Sequence, residues 1–223
     1  MDVDMILKVT ARLIVLLVAI PLHETAHAYV SYRLGDPTAK SLGRLTLNPL
    51  KHIDIMGTLC MLTVGIGWAK PVPINPNYYR SRKWGTALSA LAGPVSNFLL
   101  GLISFIFAKV FMWIYMFGNT SRVFYILYML FYLMAIINAN LFVFNLLPVP
   151  PFDGAKIFGS VLPEKIYFGI MRYEQYIFIG VFILLYIGLL DTPLSVLNSA
   201  VLNGYDFLTS FVDLIMRTVY TLR

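Results

Sequence analysis

Two runs of this chain, Trp84 to Gly118 and Val123 to Leu147, carry almost no charge. Each exceeds the roughly 20 apolar residues a helix needs to cross a bilayer core. A third run, Tyr176 to Leu190, reaches only the lower margin of that length. Composition agrees: 59% of the 223 residues are apolar and 13% charged, against about 45–50% and 25% in soluble domains. The net charge of +6 comes from 17 dispersed Lys and Arg. With no basic run interleaved with aromatics, it reads as membrane orientation rather than nucleic-acid binding. A single cysteine, Cys60, excludes an intrachain disulfide.

A fourth apolar run ends in the stretch PLHETAHAYV, Pro21 to Val30. Ionisable groups in such a helix cost about 2.5–3.5 kcal/mol each unless they are partnered. His23 and His27 stand four residues apart, on one helix face, and Glu24 lies beside them. This is the HExxH pattern, in which paired imidazoles hold a metal and the glutamate reaches an activated water. The bland alternative is a pair of hydrogen-bonded core histidines with Glu24 paired to Arg12 or Arg33, both two to three turns away. A secretory signal with Ala26-His27-Ala28 as its cleavage site is a further alternative. It would remove these residues and leave the membrane-like remainder unchanged.

Arg12 and Arg33 bracket this helix, and the 21 steps between them, at about 1.5 Å each, cover about 31 Å, one hydrocarbon thickness. Glu24 then lies roughly 10–13 Å beneath the Arg33 face. From Arg33 to Lys83 eight basic residues stand against Asp36 and Asp54, which marks a cytoplasmic loop. RLTLNPL and AKPVPINP within it have the alternation and proline-broken edges of short strands, predicting a small sheet against the membrane face. The next two runs go out and back, bringing PVPPFDG to the same side. Tyr176 to Leu190 leaves again. The segment 191–223 is weakly amphipathic, an interfacial or inserted helix. The expected fold is therefore an all-α polytopic membrane protein: about four transmembrane helices, a small membrane-associated β element and a C-terminal helix. It forms one domain over 1–223, with its motifs inside about 8–190.

Catalytic zinc takes three protein ligands and keeps a fourth position for water. A third ligand at the depth of the histidines can come from Asp153, Asn145 or His52. Pro148, Pro150 and Pro151 stiffen the approach to Asp153, and Gly154 allows close backbone contact. Taken alone, Asp153 also fits the N-cap of a helix over Ala155 to Leu162. Asn48 and His52 line a substrate approach or serve as a turn residue and a solvated loop histidine. Asn97, Asn138 and Asn140 fit interhelical hydrogen bonding better than catalysis. The Phe and Tyr residues from Phe105 to Tyr132 read as lipid-facing and packing bulk.

The series HETAHA, LGD, GRLTLNPLKHIDIMGT, GWAKPVPINP, LAGPVSN and NLLPVPPFDGAKIF resembles the site-2 protease family of intramembrane zinc metalloproteases, in its compact bacterial form. The matching motifs run from about residue 20 to 158; the last 50 or so residues carry none. The resemblance implies His23, His27 and Asp153 as ligands of one Zn2+ per chain, Glu24 as catalytic base and Asn145 as an aid to the transition state. It implies a multi-pass cell-membrane enzyme, its site nearer the cytoplasmic side, that cuts a transmembrane segment of a membrane-protein substrate. The rival reading is a membrane carrier that passes metal ions along the same cluster.

Overall fold

The computed structural model describes residues 3–63, 67–118 and 120–221. Residues 64–66 of the first loop and 222–223 of the C-terminal segment lie outside them. Helix α1 (Val3–Ile14) continues through a π-helical turn, Val15–Ala19, into α2 (Ile20–Arg33). Pro21 lacks an N–H to meet the carbonyl four residues back, and the π turn lies where that ladder is interrupted. The chain then makes the short α3 (Thr38–Ser41), α4 (Ile55–Thr63), the long α5 (Arg82–Trp113) with a π-helical end, and α6 (Arg122–Asn145). Beyond these come α7 (Asp153–Gly159), α8 (Glu164–Met171), α9 (Glu174–Tyr186), α10 (Asp191–Leu208) and α11 (Ser210–Thr221).

Among the described residues, three helices are long and apolar enough to cross a membrane: Met5–Arg33, Arg82–Gly118 and Arg122–Asn145. A fourth span exists only if Lys165–Met171 and Glu174–Tyr186, bent by 62°, act as one. The 13 residues of α9 reach about 20 Å by themselves, short of a bilayer core. The first span is also longer than the arginines indicated. Arg12 lies inside the helix, where its Nη1 donates to the Leu62 carbonyl at 3.2 Å. A partnered arginine does not mark a helix end.

That bond places the end of α4 beside α1, 21 residues ahead of Arg33, so the first loop dips along the first span. Met61 of α4 packs with Val15, Leu16 and Ala19 in a buried cluster. The predicted small sheet is absent among the described residues: one isolated antiparallel bridge joins Ile53 to Ala69. Proline explains this. Pro71, Pro73 and Pro76 cannot donate to a ladder, and two of the N–H groups between them are taken elsewhere. Val72 donates to Glu24 Oε2 and Asn75 to Asp36 Oδ2, each at 2.8 Å. The extended segment is thereby pinned to both ends of the α2 region. Beneath it Val72, Ala28 and Ala39 form a second buried cluster.

The buried face of α5 carries Gly85, Ser89, Gly93, Asn97 and Gly101, one every four residues. Small side chains on one stripe allow helices in lipid to approach until dispersion and hydrogen bonds hold them. Helix α2 packs on this stripe, α6 packs along α5, and α10 and α11 dock against α6 and α5. The C-terminal segment is thus two helices held to the bundle. Tyr205 of α10 is fully buried and donates to the Phe98 carbonyl at 3.0 Å. Asn198 of α10 bonds Asn140 of α6. Lys109 meets Asp206 at 2.7 Å and Asp213 at 2.5 Å, and Trp113 Nε1 donates to Asp213 at 2.8 Å.

Candidate metal centre

The i, i+4 spacing sets His23 and His27 side by side on α2, with ring centroids 4.6 Å apart. Both are buried, as are Glu24 and Asp153. Asp153 arrives from the turn that follows α6. After α6 the chain folds back so tightly that a Cβ on Gly154 would stand 2.3 Å from the Leu147 carbonyl oxygen and 2.4 Å from that of Leu146. Only glycine fits there, as the sequence indicated. Asp153 is the first residue of α7, whose cap position is Phe152 without a side-chain bond. The N-cap role expected of Asp153 alone is therefore not taken up, because its carboxylate is turned toward the histidines.

Asp153 Oδ2 lies 3.2 Å from His23 Nε2 and 3.1 Å from His27 Nε2, and the two Nε2 atoms are 3.0 Å apart. Ligand atoms about 2.0–2.1 Å from a tetrahedral zinc stand about 3.3 Å from one another. The triangle of two imidazole nitrogens and one carboxylate oxygen fits that donor set, and it is the only such group of three among the described residues. Lys156 Nζ approaches Asp153 Oδ1 at 3.5 Å. Burial works against the charged form of Asp153, but the two imidazoles facing it outweigh that and hold the carboxyl well below the usual range.

Helix α5 backs the site. His27 Nδ1 lies 2.6 Å from the Ser89 carbonyl oxygen, and His23 Nδ1 lies 3.1 Å from the Asn97 amide nitrogen. A Cβ on Gly93, between them on the stripe, would come within 2.3 Å of His27 Nε2 and 2.6 Å of His23 Cε1. The glycine makes room for the rings.

Of the residues singled out in the sequence, His23, His27, Glu24 and Asp153 come together. Asn145 closes α6 with Nδ2 bonded to its own Leu141 carbonyl at 2.9 Å, and no hydrogen bond links it to the cluster. His52 is fully buried rather than solvated, its Nε2 2.7 Å from the Thr46 carbonyl, and it is not one of the three. Asn48 accepts from Leu50 N at 3.1 Å, a turn role. Asn97 and Asn140 do bridge helices, whereas Asn138 bonds back to Met134 of its own helix. Ser89, Gly93 and the Val72 N–H were not foreseen as parts of the site. Backbone donors leave no residue signature, but the four-residue stripe of α5 is visible in the sequence and points at the first two.

Residues 110–187 match Peptidase family M50. The chain is 42% identical over 182 residues to YwhC of Bacillus subtilis (strain 168), named as a zinc metalloprotease, covering 82% of this chain and 80% of that protein. It is 30% identical to Rip2 of Mycolicibacterium smegmatis over 66% of this chain and 54% of that one. To the zinc metalloprotease MJ0392 of Methanocaldococcus jannaschii it is 26% identical, over 68% and 34%. No solved structure matches the chain.

Proposed function

The chain belongs to peptidase family M50, the site-2 proteases, and on that premise we propose that His23, His27 and Asp153 hold one zinc ion per chain, with Glu24 as the base. The protein is an intramembrane zinc metalloprotease of the multi-pass membrane. The observation that carries the assignment of residues is the convergence of three ligand atoms within 4.8 Å, drawn from α2 and from the first residue of α7, 126 residues after His27. When bound, zinc supplies the Lewis acidity that activates water and polarises a carbonyl. Glu24 has one carboxylate oxygen, Oε2, fixed by the Val72 N–H. Its other oxygen, Oε1, takes the proton of the attacking water and delivers it to the departing amide nitrogen. Asn145 supplies a hydrogen bond to the developing oxyanion once its side chain leaves Leu141, a contact worth about 3–4 kcal/mol where measured.

The substrate is a transmembrane segment of another membrane protein. A helix hides its carbonyls, so the segment unwinds at the site and is held extended beside the 69–76 segment. The active site lies nearer the cytoplasmic side, beneath the basic loop that starts at Arg33. The whole chain acts as one domain. Family membership does not favour the metal-carrier reading.

Glu24→Gln tests the assignment: cleavage of a transmembrane substrate falls at least about a hundredfold, as expected for loss of a general base, while bound zinc stays at wild-type stoichiometry. Undiminished cleavage by this variant removes Glu24 from its role. Asp153→Ala is expected to lose zinc, and a variant that keeps stoichiometric metal moves the third ligand to His52 or Asn145.

A further inference from the structure

We propose that Asn97 is a positioning residue: it presents its carbonyl oxygen to His23 Nδ1 and so fixes which ring nitrogen of His23 carries the proton. The proposal deepens, and rests on, the reading of His23 as a zinc ligand. Asn97 is buried on the α5 stripe. Its amide nitrogen lies 3.1 Å from His23 Nδ1, while its Oδ1 has no hydrogen-bond partner.

A neutral imidazole carries a proton on one nitrogen and a lone pair on the other. His23 Nε2 faces Asp153 Oδ2 and His27 Nε2. To ligate from there it needs its lone pair, which puts the proton on Nδ1. An N–H of Asn97 aimed at Nδ1 demands the opposite tautomer and turns a proton into the ligand triangle. A half-turn of the amide exchanges its oxygen and nitrogen at no cost in shape. After it, the unmatched oxygen receives the Nδ1 proton, and a buried acceptor gains the donor whose lack is costly.

The neighbouring histidine shows the same arrangement made by backbone. The Ser89 carbonyl can only accept, and it lies 2.6 Å from His27 Nδ1, so the proton of His27 is on Nδ1 and Nε2 is free. Ser89 and Asn97 stand two turns apart on one stripe, with Gly93 between them opening the space for both rings. Helix α5 thus offers two outward acceptors, one to each imidazole. Such outer partners of metal-binding histidines typically change metal affinity by about 10–100-fold when removed.

The test uses the full-length protein in nanodiscs and two variants. Asn97→Leu keeps the size and removes the acceptor; Asn97→Asp keeps an oxygen at the same reach. Zinc affinity, read by competition with a chelator, is expected to fall about 10–100-fold in Asn97→Leu and less than about tenfold in Asn97→Asp. In metal-free protein the 15N imidazole shifts of His23 are expected to report Nδ1–H in the wild type and in Asn97→Asp, and a shift toward Nε2–H in Asn97→Leu. Wild-type zinc affinity in Asn97→Leu overturns the proposal, and so does an unchanged His23 tautomer. Equal losses in both variants reduce Asn97 to a packing role and overturn it too. A wild-type protein that binds no zinc overturns the underlying ligand reading, a result separable from the others because it precedes any substitution.

Discussion

Helix α5 packs against two clusters of ionisable groups, and they are closed in different ways. At Lys109 a cation meets Asp206 and Asp213, and Trp113 donates to the free oxygen of Asp213. Around Gly93, 16 residues and about 24 Å away along the axis, two imidazoles and the Asp153 carboxylate aim ligand atoms at one another. The first cluster has donors and acceptors in balance and supplies its own counter-charge. The second gathers lone pairs on one point, an arrangement completed by a cation. Buried charge alone does not mark a functional site; the sign and direction of the groups do.

The comparison breaks most sharply at Gly93. Gly93→Ala pushes a methyl into both imidazole rings, so zinc affinity is expected to fall by more than about a hundredfold, beyond the range for outer-shell changes. Chelator competition measures this, and circular dichroism is expected to show unchanged helix content. Wild-type zinc affinity in this variant would mean that the rings move freely away from α5.

Lys109→Met comes next. It leaves two carboxylates facing a buried apolar chain, but Asp206 is largely exposed and Asp213 about a third exposed. The expected destabilisation is therefore about 1–3 kcal/mol, less than for a fully buried pair. Thermal unfolding in detergent reads the loss, together with faster proteolysis in α10 and α11, while zinc stoichiometry is expected to stay at the wild-type level. Loss of zinc in this variant would join the two clusters into one unit.

Tyr205→Phe removes one hydrogen bond, to the Phe98 carbonyl, and keeps the ring packed on Phe98 and Phe105. A loss of about 1 kcal/mol is expected, seen in the same unfolding assay.

The smallest effect is with pH, at a carboxylate belonging to neither cluster. Burial opposes the charge of Asp36, but bonds from Thr38, Asn75 and Ser31 prevail and hold its carboxyl below the usual range. A depressed folded value means stability that is present above the ordinary Asp value of about 3.9 and lost as pH falls through the folded value. Hydrogen exchange at Asn75 and its neighbours is expected to rise only in that acid window. A rise near neutral pH would assign the pinning of the 69–76 segment to another group.

The spans and the cluster of His23, His27 and Asp153 were legible because each has a one-dimensional signature. Length and low charge mark α5 and α6, a four-residue spacing marks His23 and His27, and the proline approach followed by Gly154 marks the turn that delivers Asp153. What escaped was fixed by tertiary partners. Arg12 read as a helix boundary because an arginine within a span is costly, and its relief by the Leu62 carbonyl cannot be seen without the fold. The 69–76 segment has the pattern of a strand and is extended, yet beyond the Lys70 bond to the His52 carbonyl its Val72 and Asn75 N–H groups go to carboxylates rather than to a neighbouring strand. Asn97 read correctly as an interhelical residue, but its partner, a histidine 74 positions earlier, carries the significance.

The distance in sequence between His27 and Asp153 also sets a clock. The 126 residues separating them take roughly 6–25 s to synthesise at about 5–20 residues per second. Throughout that interval the first span can already sit in the bilayer with its histidines in place. The cluster is still one donor short, so a nascent chain cannot assemble it before the segment following the third span has left the ribosome.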